Sequence, residues 1–164
     1  MTFFSNMVNT TRFQSEVEAG NAYNLSGVFT TVTVVDILLD NTGNTKNIHA
    51  VFGSDVDQDG TMELFEDTTV SANGSALPIS QLNRPLVANT SGLSAYSGPT
   101  IIGDGTLLRQ VFLPTGAGGG SGGVGAAEGL PRGGEWILSP KIYLIRVTLG
   151  SAGTIGGDFT FFEI

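Results

Sequence analysis

Apolar residues in this chain come in short runs rich in Val, Ile, Phe and Thr, and most runs are closed by Gly, Asn, Asp or Pro. Helical periodicity is nearly absent, so the pattern predicts β-strands. A first strand is expected over 12–18 (RFQSEVE), with Phe13 and Val17 on one face. A strand pair is expected across Leu25 to Leu39, with VFTTVTVVDILL at its heart. Further strands are expected at 46–53 (KNIHAVFG), 61–67 (TMELFED), 75–82 (SALPISQL), 106–114 (TLLRQVFLP), 135–139 (EWILS), 141–149 (KIYLIRVTL) and 158–164 (DFTFFEI). About eight to ten antiparallel strands at such spacings suit an all-β sandwich or barrel.

The connections have their own chemistry. Asp59-Gly60-Thr61, Asn73-Gly74-Ser75 and Asp104-Gly105-Thr106 each place Asp or Asn before Gly and ahead of a strand. Such pairs supply the positive φ that tight hairpins need. The stretch 41–47 (NTGNTKN) and the segment Leu86 to Pro99 are expected to be connections as well. From Gly116 to Gly125 seven residues of ten are glycine, and this character runs on to Gly134. Residues 116–134 are therefore expected to form a flexible or partner-ordered loop. Residues 1–10 are expected to be an N-terminal arm, and 11–164 a single domain.

Composition narrows the function classes. The 164 residues can bury a substantial core, and no cysteine is present, which excludes disulfides, thiolate nucleophiles and thiolate metal sites. Fifteen acidic residues against seven basic ones give a formal charge of −8. The cations, among them Arg12, Lys46, Arg84 and Arg109, are scattered singly. Phosphate backbones and anionic membranes attract clustered cations, so neither is an expected partner. Only 13% of residues are charged, which is low for a free surface and suggests that part of it is covered by partners. The opening MTFFSNMVNTTRF lacks the basic stretch and long apolar run of a signal peptide.

Gly118-x-Gly120-x-x-Gly123 matches a dinucleotide fingerprint as a string, but the following VGAAEGLPRGGEW offers no helix to hold a pyrophosphate. Gly119-x-Ser121-x-Gly123 matches a nucleophile elbow, yet the single histidine, His49, lies upstream within a strand pattern. His49 is expected to be packed or hydrogen-bonded. No pair of carboxylates stands out for glycosidase work, so no catalytic residue and no cofactor are expected. Asp55, Asp57, Asp59, Gly60 and Glu66 fit the D-x-D-x-D-G-x5-E calcium pattern, but the flanks look like strands instead of helices. An acidic tip between strands, without metal, is the preferred reading. Trp136 and the C-terminal Phe159, Phe161 and Phe162 are expected in the core or at a subunit interface.

An ordered set of short strings adds to this picture. It comprises Ile48-His49, Glu63-Leu64-Phe65-Glu66, Asn73-Gly74, Asn83-Arg84 and Gly105-Thr106-Leu107-Leu108, then Glu135-Trp136-Ile137-Leu138, Tyr143 to Thr148 and Phe162-Glu163. From residue 46 onward this order resembles the jelly-roll head decoration (capsid cement) proteins of tailed bacteriophages. The resemblance implies an antiparallel jelly-roll-like β-sandwich that forms a dimer or trimer. It implies a structural virion protein on the capsid exterior, with the major capsid protein as partner and no catalytic residues. The residues expected to contact partners are Phe3, Phe4 and Met7 of the arm and Arg132 of the glycine-rich loop. The rival reading is a receptor- or glycan-binding module of a phage tail or bacterial surface. That reading requires aromatic and polar side chains converging on one exposed site.

Overall fold

The computed structural model describes residues 14–83, 89–114 and 136–164. The expected arm (1–10) and glycine-rich loop (116–134) therefore lie outside the described residues, and with them Phe3, Phe4, Met7 and Arg132.

Among the described residues, eleven strands account for nearly all regular structure: β1 (Ala22–Asp40), β2 (Ile48–Val56), β3 (Gly60–Glu66), β4 (Thr69–Ala72), β5 (Ser75–Ala76), β6 (Ser80–Gln81), β7 (Ser94–Ser97), β8 (Thr100–Gly103), β9 (Thr106–Leu113), β10 (Trp136–Leu138) and β11 (Ile142–Glu163). All pairings are antiparallel, and five of them nest. The first strand pairs the last, β2 pairs β10, β3 pairs β9, β4 pairs β8 and β5 pairs β7. This is the winding of a jelly roll, a two-stranded ribbon folded over on itself.

Its corners sit where the backbone allows a reversal. Asp67 and Gly105 (φ 61° and 91°) turn the ribbon between β3/β9 and β4/β8, and Gly74 and Gly98 (φ 91° and 63°) turn it between β4/β8 and β5/β7. A Cβ on Gly105 would collide with the Glu66 carbonyl, and one on Gly74 with the Ser97 carbonyl. Glycine is therefore required twice over at each position. Neither Asn73-Gly74 nor Asp104-Gly105 closes a hairpin, as the turn chemistry had suggested. Gly60 has no positive φ; it is glycine because the Thr148 carbonyl and the Leu149 side chain press on that position.

Three long tracts bend together and divide the main sheet into two halves. β1 bends between Phe29 and Val34 with two register shifts and Thr31 at φ 58°, β11 bends near 150–154, and β2 passes to β3 at 57–59. One half runs β10-β2-β11-β1-β6, and the other β9-β3-β11-β1-β7-β5. Along β2, buried and exposed positions alternate from Ala50 to Val56. Tyr23, Leu25, Phe52, Phe159 and Phe161 from the first half meet Leu39, Leu64, Tyr143 and Ile145 from the second. Stacked rings connect Phe52 to Phe159 (4.7 Å), Phe159 to Phe161 (4.9 Å) and Phe161 to Tyr23 (5.4 Å). Each buried phenylalanine contributes roughly 1.5–3 kcal/mol.

Several expectations need correction. The strand expected at 12–18 is a helix over 14–19 where it is described. Gln, Glu and Ala favour it, and Gly20 (φ 78°) stops it with Gly20 N–H to Val17 O and Asn21 N–H to Glu16 O, a Schellman motif. The pair expected across Leu25 to Leu39 is one bent strand, and the strands at 141–149 and 158–164 are also one. The strand expected at 75–82 reduces to the short β5 and β6. The connection Leu86 to Pro99 contains β7.

Candidate functional site

Two groups of charged side chains are bound to one another within the fold. Lys141 sits between Glu66 (2.8 Å) and Asp67 (2.9 Å), and Tyr143 donates to Glu66 (3.2 Å). Hydrogen bonding to the two carboxylates pushes the Lys141 ammonium above its ordinary range. Burial does the same to the Tyr143 phenol. On the outer face of the second half, Arg146 grips Asp36 through Nε and Nη2 (2.8 and 3.3 Å) and reaches Asp104 through Nη1 (3.0 Å). Its guanidinium also lies 5.7 Å from the Phe65 ring centre. These partners, Asp36 foremost, push Arg146 further up. This clasp ties the β8–β9 corner to β1 and β11.

Glu163 is only 5% exposed and is held by the Ser91 hydroxyl (2.7 Å) and the amides of Gly92 (2.9 Å) and Leu93 (3.4 Å). Asp158, Asn24 and Thr160 bond to one another across β1 and β11. These arrangements fasten strands and loops. No group of three or more His, Asp or Glu residues able to hold a metal occurs among the described residues.

The calcium pattern is dispersed by the fold. Asp57 accepts the Thr154 amide (2.7 Å), and the Asp59 carbonyl accepts the Gly150 amide (2.8 Å), so this corner caps the bend of β11. Glu66 lies at the far end of β3, where six residue steps of about 3.3 Å put it roughly 20 Å from Gly60. It is committed there to Lys141 and Tyr143. His49 is 8% exposed and stacks on Phe162 at 4.9 Å. Phe159, Phe161 and Phe162 are buried as expected, while Trp136 is half-buried against the core with Arg109 5.9 Å from its ring centre.

What remains for recognition is apolar surface. β9 pairs only β3 and β10 pairs only β2, so both are edge strands among the described residues. Phe112 and Ile137 on these strands are each 62% exposed, and Leu107 and Leu108 are also exposed. Ile102 on the two-stranded β4–β8 ribbon is 72% exposed. An isolated two-stranded ribbon gains little stability alone, and exposed apolar edges invite pairing or burial. Sequence reasoning passed over these residues. The available signal was TLLRQVFL, which is apolar on both faces of a strand.

No family model, no curated protein and no solved structure matches this chain.

Proposed function

We propose that this chain is a capsid decoration (cement) protein, a structural virion protein that binds the outer surface of a phage capsid and reinforces it. The observation that carries this reading is the run of exposed apolar side chains along the β8–β9 stretch (Ile102, Leu107, Leu108, Phe112), in a chain whose described cations are largely engaged internally. The nested jelly-roll winding and the ordered strings from residue 46 onward support it. The partners are the major capsid protein and further copies of this chain. Nucleic acid and membranes do not suit its charge of −8. Burying one such phenylalanine contributes roughly 1.5–3 kcal/mol, and repetition over a lattice multiplies weak contacts.

The experiment adds purified protein to shells lacking it and measures occupancy and heat resistance. Wild type is expected to bind and to protect. Phe112→Asp and deletion of residues 1–10, which carry Phe3, Phe4 and Met7, are each expected to weaken binding with the fold retained. Failure of the wild type to bind such shells refutes the reading. Full occupancy by both variants removes these contacts from it.

A further inference from the structure

Among the described residues the buried apolar side chains form two clusters that do not merge. The larger holds the stacked rings of Phe52, Phe159 and Phe161. The smaller holds Val35, Val56, Leu113, Val147, Leu149 and Ile155, and it fills the end of the sandwich where β1 and β11 bend. Ile37 and Met62, both only partly buried, pack against both clusters.

The register of the sheet shows why the clusters part. One cross-strand row is Phe52, Phe159 and Leu25, and another, four positions along, is Val56, Ile155 and Phe29. The row midway between them is Ser54, Gly157 and Gly27. Residues two apart on a strand share a face, so all three rows point inward. The middle row brings little bulk. A Cβ on Gly157 would meet no described atom within 4 Å, and the Ser54 hydroxyl donates to the Gly156 carbonyl (3.1 Å). A cavity of about 40 Å³ lies there, lined by Phe52 and Phe159 of the larger cluster and by Val35, Val147 and Ile155 of the smaller. Atoms that face a void lose their dispersion partners, so the contact that would join the two clusters is weak.

The backbone is interrupted at the same end. β1 shifts register against β11 twice between Phe29 and Val34, with Val32 opposite Gly153 between the shifts. Thr31 stands there at φ 58°, a strained conformation for a β-branched residue. A broken ladder and local strain both lower the cost of parting the strands.

We infer that this bent end is a separately opening unit: the smaller cluster comes apart and re-forms while the ring-stacked core stays folded. Local opening free energies follow the extent of buried apolar contact, and the smaller cluster has six buried members against fourteen. The end of the fold can thus change shape without loss of the rest, whatever surface the protein binds.

Native-state hydrogen exchange of the full chain under mild denaturant tests this. The protected amides of 29–35 and 147–156 are expected to exchange at least about tenfold faster than those of 22–25 and 158–162, and with a weaker denaturant dependence. Ile48→Val trims the larger cluster away from the cavity lining. It is expected to speed exchange in the second set and to leave the first unchanged, because Ile48 keeps its packing in the opened form. Gly157→Val grows a side chain into the cavity and is expected to slow exchange in the first set about threefold. Gly157→Ala does so to a smaller degree and serves if the larger side chain disturbs the fold. One opening free energy shared by both sets overturns the inference, as does equal acceleration of both by Ile48→Val. Unchanged exchange of the first set in both Gly157 variants overturns it too, since the cavity would then not be what divides the core.

Discussion

Replacing Glu163 tests how the last strand fastens the tip of the wound ribbon. The carboxylate is 5% exposed, and its Oε1 takes three donors from residues 91–93. Glu163→Leu keeps the bulk and removes the acceptor. Leu93 N–H retains the Ser91 Oγ at 3.1 Å. The losses therefore fall on the Ser91 hydroxyl and the Gly92 amide, and Gly92 is exposed enough for water to compensate in part. Hydrogen bonds to a charged acceptor are worth about 1.5–3 kcal/mol, and relief of carboxylate burial offsets some of this. A net cost of about 2 kcal/mol follows, or a fall of roughly 4–8 °C in melting temperature for a domain of this size. Glu163→Gln retains an acceptor without the charge and is expected to cost about half as much. Calorimetry gives the melting temperatures, and hydrogen exchange at Gly92 and Leu93 reports the loop directly. Unchanged melting together with unchanged exchange in Glu163→Leu would refute the reasoning.

Glycine substitutions are expected to move stability in both directions. Gly105→Ala, at φ 91° and against the Glu66 carbonyl, is expected to destabilise by more than about 1 kcal/mol. Gly157→Ala, with open space around the new Cβ, is expected to stabilise by about 0.4–1 kcal/mol; thermal melts of both check this. Stability is also expected to fall in alkali. Tyr23 and Tyr143 are raised above 10.0, mainly by burial, and Lys141 above 10.5, mainly by its bond to Glu66. The unfolded chain sheds these protons first, so their contribution is complete below about pH 10 and is lost as pH rises through the higher folded values. A melting temperature that stays level across that window, or a Tyr143→Phe variant with an equally steep decline, would contradict it. Calcium is expected to leave the melting temperature unchanged, because Asp57 caps β11 and Glu66 is remote. A rise with free calcium that vanishes in Asp57→Ala would reverse this conclusion.

The strands were legible because runs such as VTVVDILL and IYLIRVTL are rich in β-branched residues and are bounded by turn-forming residues. Their lengths were not. GSAGTIGG looks like a turn, yet β11 runs through it and bends there, since a Cβ at Gly153 would collide with the Asp57 carboxylate that caps the corner. Phe13 and Val17 lie four apart, a spacing that satisfies both the strand period and the helix period. The deciding signal was Gln14, Glu16, Glu18 and Ala19 followed by Gly20. Asn73-Gly74 and Asp104-Gly105 were correctly seen as positive-φ turns. Which strands they join depends on partners 30 or so residues away, which local chemistry does not encode.

The same distinction separates what could be anticipated of the sites from what could not. The calcium pattern is a statement about spacing along a loop. Once Gly60 to Glu66 becomes an extended strand, that spacing turns into a separation no single ion can bridge. A groove at the end of the sandwich, where β5, β6 and β7 meet, is the converse case. Tyr23, Leu77 to Gln81 and Asn89 to Tyr96 come from three parts of the chain, and no local string marks them as a set. The winding brings them together: β6 and β7 both pair with β1, and Glu163 at the end of β11 draws residues 91–93 against it.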